Sequence, residues 1–265
     1  MAVSEILLTD KDERGVATLT LNRPDVHNAF DDKLIEALRS ALLDCDRDSQ
    51  VRVIILTGRG KSFSSGADLN WMRAMASFSE EENIEDALHL AELMAVLNGI
   101  RKPTLAKVNG HAFGGGVGLV ACCDIAVGAD TTRFALSEVR LGLVPAVISP
   151  YVMSAIGERQ ARRYFLTGEA FDAITAREIG LLHTVASRDQ LDSETETIVA
   201  ALLAGGPEAQ LACKNLVANI SHHGVTASHA LRQRTAELIA QLRGSDEGQE
   251  GLAAFLEKRK PGWQD

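Results

Sequence analysis

The sequence predicts an α/β fold in which buried strands alternate with amphipathic helices and a helical region follows. Strand-like apolar runs and helix-like patterns alternate over the first half of the chain, and strand patterns nearly vanish after about Ile148. With 265 residues and 46% hydrophobic content, the chain is long enough to bury a full core. We therefore expect one continuous domain, with a core over residues 1–186 and a C-terminal helical region over residues 187–265.

Periodicity predicts the first elements. Val16–Leu21 has a strand pattern that ends at the turn signal Asn22-Arg23-Pro24. Leu34, Leu38 and Leu42, spaced four residues apart, and the adjacent Leu43 then share one face of a helix that we predict from about Asp31 to Asp46. Val51–Thr57 is mostly β-branched and apolar, which is typical of a strand covered on both faces.

The later elements follow from capping and from short apolar runs. Ser79 and Glu82 form a capping-box pattern, which predicts that a helix begins there. Thr104–Val108 and Asp124–Val127 are predicted core strands, and His183–Ala186 is the one strand predicted in the second half. Together these elements predict a layered core.

Charge and composition exclude several classes of protein. The net charge of −9 argues against non-specific nucleic-acid binding, which depends on basic surfaces. No apolar run reaches the roughly 18 residues of a membrane span, and the N-terminus lacks a basic region followed by a long apolar one. We expect no secretory signal and no membrane partner. The four cysteines have neither C-x-x-C nor metal-ligand spacing, so we interpret them as buried free thiols in a reducing cytoplasm, with no metal site.

Two glycine-containing segments are candidates for binding a developing negative charge. Ser64–Asp68 and Gly114–Gly118 each follow a strand pattern and precede a helix pattern, so each can direct backbone N–H groups at a shared point. Two such donors are what the oxyanion of a reacting thioester needs. We place them at Ala67 and Gly115. The alternative is that the glycines serve only the close packing of a turn.

A carboxylate that could act as acid or base lies further along the chain. Arg133–Val139 has a short strand pattern, and Glu138 stands near its end, before the turn Gly142–Pro145. Glu138 is therefore the candidate general acid or base. The alternative is a solvated carboxylate at the end of a strand.

Several segments, in the same order along the chain, resemble the crotonase (enoyl-CoA hydratase/isomerase) family. The matching segments are Leu21–Pro24 with Asn28-Ala29, Phe63–Leu69, Val108–Gly116, Cys123–Ala126, Phe134–Pro145 and Phe255–Arg259. The resemblance implies a crotonase-like fold of repeated β-β-α units with C-terminal helices that form trimers and close the CoA pocket. It also implies homotrimers or dimers of trimers and an acyl-CoA substrate, with no further cofactor.

The resemblance also assigns site residues. It implies that Ala67 and Gly115 are the oxyanion donors, in agreement with their placement above. The substrate and CoA contacts that we expect are Ser65, Ala67, Asp68, Leu69, Asn70, Gly115, Gly118, Phe255 and Lys258. Lys258 lies in a charged run, so the alternative to a CoA contact is a solvated surface lysine. Trp71 is expected either to line the acyl tunnel or to belong to the core.

One position departs from the pattern of the family. Its hydratases carry two catalytic glutamates, of which the second maps to Glu138 and the first maps to Gly118, so a paired-carboxylate mechanism does not carry over. We expect Gly118 to open volume beside the substrate's β-carbon. If the strand persists to residue 140, Arg140 shares the face of Glu138, Arg133 takes the other face, and either could pair with a distal substrate carboxylate. Solvation is the alternative for both arginines.

Three segments resemble one branch of this family more closely than the family as a whole, namely the methylglutaconyl-CoA hydratases of bacterial leucine breakdown. In that branch a glycine at the position of Gly118 is ordinary. The three segments are Ala67–Met72, Gly114–Asp124 and Leu136–Gly142. The resemblance implies hydration of a branched 2-enoyl-CoA, with 3-methylglutaconyl-CoA as the expected substrate. The alternatives are a Δ3,Δ2-enoyl-CoA isomerase that uses the single glutamate, and an acyl-CoA-binding protein without turnover.

Overall fold

The structure is a computed structural model that describes residues 5–75, 78–221 and 229–264. The chain forms two compact units. The first consists of Met1–Ile100 and Thr104–Thr197, and the second consists of Arg101–Pro103 and Ile198–Asp265. The role predicted for residues 187–265 in trimer formation and CoA-pocket closure stays a prediction.

Strands and helices alternate over the first unit, and helices dominate the second. The strands are β1 (Leu7–Lys11), β2 (Val16–Leu21), β3 (Val53–Gly58), β4 (Ser62–Ser64), β5 (Thr104–Val108), β6 (His111–Phe113), β7 (Ile125–Ala129), β8 (Arg133–Ala135), β9 (Phe171–Asp172) and β10 (Thr184–Ala186). The helices are α1 (Asp32–Arg47), α2 (Leu69–Met75), α3 (Glu80–Gly99), α4 (Gly115–Cys122), α5 (Ser149–Thr167), α6 (Ala173–Glu178), α7 (Leu191–Ala204), α8 (Pro207–Ser221), α9 (His229–Gly244) and α10 (Asp246–Glu257).

The strands form two sheets. The larger sheet has the order β1-β2-β3-β5-β7-β10, with β1 antiparallel to β2 and the remaining neighbours parallel. Every residue of β3 is buried, as expected for a central parallel strand covered on both faces. The smaller sheet has the order β4-β6-β8-β9. Because β4 and β6 are parallel neighbours, the segments that follow them leave from the same edge of this sheet.

The helices begin where the sequence predicts. Asp31 caps α1 by accepting a hydrogen bond from the amide of Leu34 at 2.9 Å, and the apolar face of α1 is buried in the core. Ser79 and Glu82 form the predicted capping box at the start of α3. Both helix predictions are confirmed, as is the strand predicted within His183–Ala186.

Three details differ from the sequence-based expectation. The strand expected over Arg133–Val139 ends at Ala135, because the chain turns there into a 3₁₀-helix at Glu138–Leu141. Strands β1, β4, β6 and β9 were not predicted; β4, β6 and β9 have only two or three residues each, and such short strands leave no periodic signal. Cys213 is exposed, so the interpretation of all four cysteines as buried is wrong at that position. Within the described part of the chain, none of the helices combines the length and apolar character that crossing a bilayer requires.

The core of the first unit is filled by large apolar side chains from both sheets and from the helices packed on them. Phe30, Phe63 and Phe134 are fully buried, and the ring of Phe134 stacks on that of Phe171 at 5.6 Å between centroids. In the second unit, the carboxylate of Glu247 accepts hydrogen bonds from the amides of Glu208 and Ala209, both at 2.8 Å, and so caps the start of α8.

Candidate active site

The first donor segment connects β4 to α2 and is held by the backbone of Phe30. The amide of Phe30 donates to the carbonyl oxygen of Gly66 at 2.7 Å, and the amide of Asp68 donates to the carbonyl oxygen of Phe30 at 2.7 Å. These bonds form an isolated parallel bridge between Phe30 and Ala67. They use the groups on either side of the Ala67 amide, which itself donates to no group within the described ranges. Ala67 is exposed, and no acceptor among the described residues competes with a ligand for its N–H.

The second donor segment is the start of α4. Gly114 precedes the helix with φ of 49°, and its amide donates to the carbonyl oxygen of Ala135 at 2.9 Å. Gly115 is the first helical residue, and an amide at that position has no partner inside its own helix. A helix start concentrates partial positive charge, so this amide suits a developing oxyanion.

The two segments touch each other. A Cβ placed on Gly66, where φ is 84°, would lie 3.3 Å from the amide nitrogen of Gly115 and 2.9 Å from the carbonyl oxygen of Phe113. A Cβ on Gly115 would lie 2.7 Å from the ring of Phe30. Phe30 therefore supports both segments, since its backbone brackets Ala67 and its ring covers Gly115. A side chain at Gly66 would push the two donors apart.

Glu138 lies beside the second segment. Its Oε1 would lie 3.0 Å from a Cβ placed on Gly114, so the carboxyl group covers the residue that precedes Gly115. Its Oε2 is buried and has no hydrogen-bond partner in the described structure. Burial raises the pKa of the Glu138 carboxyl above its ordinary value. Glu138 is thus an inward-facing carboxyl group with a free oxygen, and the alternative of a solvated strand end does not describe it.

The space beside Gly118 is filled by the side chain of Ile148. A Cβ on Gly118 would overlap Cγ2 of Ile148 and would lie 2.8 Å from its Cβ and 3.3 Å from Cε of Met94. Ile148, the residue that precedes α5, is 3% exposed, and Met94 is fully buried. The expectation that Gly118 opens volume beside the substrate is therefore wrong, because Ile148 takes up the space that a side chain would use.

Asp68 organises the first segment. Its Oδ1 accepts hydrogen bonds from the amides of Asn70 at 2.8 Å and Trp71 at 3.4 Å, which caps α2. Its Oδ2 forms an ion pair at 3.1 Å with Arg23, which also pairs with Asp31 at 3.1 Å. Burial opposes ionisation of Asp68, but the two amides and Arg23 hold its pKa below the ordinary value. Arg23 therefore joins the caps of α1 and α2, a role that its place in a turn signal did not reveal.

The remaining predicted residues of the first segment have local partners. The amide of Ser65 donates to the carbonyl oxygen of His27 at 3.0 Å, and the side-chain oxygen of Asn70 accepts from Arg73 at 3.2 Å. Trp71 is partly buried and packs against the core, as its core alternative proposed. The side chain of Leu69 lies outside the described part of the structure. CoA contacts for Ser65, Asp68, Leu69 and Asn70 stay predictions.

The two arginines do not share a strand with Glu138. Because β8 ends at Ala135, the strand alternation that placed Arg140 on the face of Glu138 does not apply. Arg140 is exposed, and its Nε would lie 3.2 Å from a Cβ on Gly168, at the end of α5. Arg133 is also exposed, near the charge of Asp172. The solvated alternative describes both residues.

Phe255 and Lys258 belong to the second unit. Phe255 lies on α10 and is 79% exposed. Lys258 ends α10 in a left-handed conformation with φ of 57°. Their predicted contact with CoA stays a prediction.

Comparison with known proteins identifies the family. The family model for enoyl-CoA hydratase/isomerase matches residues 11–265. The chain belongs to the enoyl-CoA hydratase/isomerase family. A probable enoyl-CoA hydratase of Mycobacterium tuberculosis is 33% identical and covers 97% of this chain, with 97% of its own length matched.

Solved structures agree with this assignment. An enoyl-CoA hydratase from Shewanella pealeana has a TM-score of 0.93 and 44% identity, with 97% of this chain and 96% of that chain covered. An enoyl-CoA hydratase from Mycobacterium smegmatis has a TM-score of 0.90 and 33% identity, with 98% and 99% covered. The predicted α/β crotonase fold is confirmed, and this member of the enoyl-CoA hydratase/isomerase family is a hydratase-type enzyme of acyl-CoA chemistry.

Proposed function

We propose that this enzyme adds water across the double bond of a branched 2-enoyl-CoA, with 3-methylglutaconyl-CoA as its substrate in leucine breakdown. The observation that carries the proposal is the buried, partnerless Oε2 of Glu138, because its carboxyl group lies against Gly114, next to the amide of Gly115. A base and an oxyanion donor so close together suit proton transfer at the α-carbon of a thioester.

The amides of Ala67 and Gly115 have the role of stabilising charge on the thioester oxygen. When hydroxide character develops at the β-carbon, electron density moves through the conjugated system to the carbonyl oxygen. Neither amide is occupied by another group of the described structure, so both are available to that oxygen. Loss of one such donor typically lowers kcat by about 10²–10³-fold.

Glu138 has the role of moving the proton. Its carboxylate accepts a proton from water while the water oxygen bonds to the β-carbon, and the resulting carboxylic acid returns that proton to the α-carbon. The net change is addition of one water molecule, and Glu138 ends in its starting state. The raised pKa suits both steps, because it makes the carboxylate a better base than a solvated glutamate.

The branched substrate is supported by likeness rather than by a described contact. The segments Ala67–Met72, Gly114–Asp124 and Leu136–Gly142 resemble those of bacterial methylglutaconyl-CoA hydratases, including the glycine at 118. Assembly as a homotrimer or a dimer of trimers and a cytoplasmic location belong to the same proposal. Light scattering after size-exclusion chromatography measures the assembly.

A second candidate is Δ3,Δ2-enoyl-CoA isomerisation. It is favoured by the apolar filling at Gly118, where Ile148 and Met94 replace the side chain that would hold a water molecule. Isomerisation moves a proton between two carbons and needs only one base, which Glu138 provides.

The absorbance of the conjugated thioester separates the two reactions. With 3-methylglutaconyl-CoA, the proposed hydration lowers that absorbance, and the Glu138→Gln variant should abolish the change while still binding CoA esters. A rise in absorbance with a 3-enoyl-CoA, and no reaction with 3-methylglutaconyl-CoA, would assign the isomerase reaction instead. Binding of CoA esters without either reaction would identify a binding protein.

A further inference from the structure

Two glycines at the start of α4, Gly114 and Gly118, lie against the first and last residues of the segment 138–148. Gly114 and Gly118 are four residues apart, which is close to one helical turn. The carboxyl group of Glu138 covers Gly114, and the side chain of Ile148 covers Gly118. The two ends of residues 138–148 therefore contact the start of α4 one turn apart, with the reacting carboxylate at one end and a buried isoleucine at the other.

The surroundings of Gly118 are apolar. The atoms nearest to a Cβ on Gly118 belong to Ile148 and Met94, and both side chains are buried. A carboxylate or a water molecule needs polar partners in a buried place, and these two side chains offer none. Ile148 is also branched at Cβ, so it cannot swing a distant flexible end away from a new side chain.

We propose that Ile148 keeps a second carboxylate out of the position of Gly118, so that Glu138 acts as a single carboxylate. The inference rests on the proposed role of Glu138 and goes beyond it. It follows that a carboxylate introduced at position 118 can take part in hydration of an enoyl thioester only when the side chain of Ile148 is also shortened.

The test is a double-mutant cycle with crotonyl-CoA as the unbranched probe. The variants are Gly118→Glu, Ile148→Ala and the double variant. Gly118→Glu alone should hydrate crotonyl-CoA no faster than the parent, because Ile148 occupies the required space. The double variant should hydrate it at least tenfold faster than either single variant, since the second carboxylate then has room beside Glu138.

A matched control uses another buried isoleucine of the same helical region. Ile156 lies on α5 and is buried in the core. Ile156→Ala removes the same atoms, so its combination with Gly118→Glu should give no gain with crotonyl-CoA. Equal gains from the two double variants would overturn the inference, because general loosening of α5 would then explain them. A well-folded Gly118→Glu/Ile148→Ala variant without a gain would overturn it as well.

Two further measurements keep the inference testable. If Gly118→Glu fails to fold, Gly118→Ala takes its place, and the thermal midpoint of Gly118→Ala should lie below that of the parent. Adding Ile148→Ala to Gly118→Ala should recover part of that loss, whereas adding Ile156→Ala should not. Absence of that selective recovery overturns the inference.

Adding Glu138→Gln to the double variant should remove the gain. If the parent does not hydrate 3-methylglutaconyl-CoA but the gain with crotonyl-CoA appears, the substrate proposal fails and the role of Ile148 stands.

Discussion

Replacement of Arg23 by methionine tests how the first donor segment is held. The side chain of Arg23 is 18% exposed, and those of its partners Asp31 and Asp68 are 21% and 9% exposed. Methionine fills similar volume but leaves the nearly buried Asp68 without its cation. Loss of a charged hydrogen bond at such a site costs about 1.5–3 kcal/mol. The pair with Asp31, whose side chains are partly exposed, adds about 0–1 kcal/mol, so we expect a total loss of about 1.5–4 kcal/mol.

Urea unfolding measures this loss, and steady-state kinetics measure its effect on the site. Because Asp68 caps α2 directly after Ala67, kcat/KM should fall by about tenfold to a hundredfold. Arg39→Met is the matched control: Arg39 pairs with Glu36 on the surface of α1, so its replacement should change stability and activity little.

The pH dependence of the loss has a defined sign. The folded-state pKa of Asp68 lies below its ordinary value, so its stabilising contribution is present above about pH 4 and disappears as the pH falls through the folded-state value. The destabilisation by Arg23→Met should therefore be largest near neutral pH and shrink in acid. A variant as stable and active as Arg39→Met would refute the view that Arg23 holds the oxyanion segment.

Three further predictions follow from the structure. Glu138→Gln should lower kcat by about 10²–10⁴-fold. Because burial raises the folded-state pKa of Glu138, ionisation of this carboxyl group lowers the stability of the parent as the pH rises through that pKa. Thermal unfolding at pH 8 should therefore show that Glu138→Gln is more stable than the parent. Gly118→Ala should cost about 1–3 kcal/mol by overpacking, offset by about 1 kcal/mol of helix propensity, so the net loss is up to about 2 kcal/mol and the thermal midpoint should fall by up to about 8 °C. Gly99→Ala, where a Cβ meets nothing within 4 Å, should not lower the midpoint. A thiol reagent should label the exposed Cys213 first, and mass spectrometry that finds Cys122 labelled equally fast would contradict the described burial.

The sequence predicted the elements that have strong local signals. The helix of Asp32–Arg47 begins at a capping aspartate and has a regular leucine spacing, and the central strand Val53–Gly58 contains the apolar run Val53–Leu56. Such signals act within one helix or strand, so they predict that element without knowledge of the tertiary packing.

The errors arose where contacts between distant segments decide the structure. The strand pattern before Glu138 gave way to a 3₁₀-helix, which removed the alternation that placed Arg140. Gly118 suggested open space, but Ile148, which is 30 residues away in the sequence, packs there. No periodic or motif signal in a single sequence reports such a pair. The double support that Phe30 gives to the two donor segments was missed for the same reason.

The most direct test of the central claim is a crystal structure of the Glu138→Gln variant with bound 3-methylglutaconyl-CoA. The account predicts that the thioester oxygen accepts hydrogen bonds from the amides of both Ala67 and Gly115 at about 2.7–3.1 Å, with the side chain of residue 138 beside the α-carbon. A thioester oxygen that contacts neither amide, or an α-carbon beyond reach of residue 138, would contradict it.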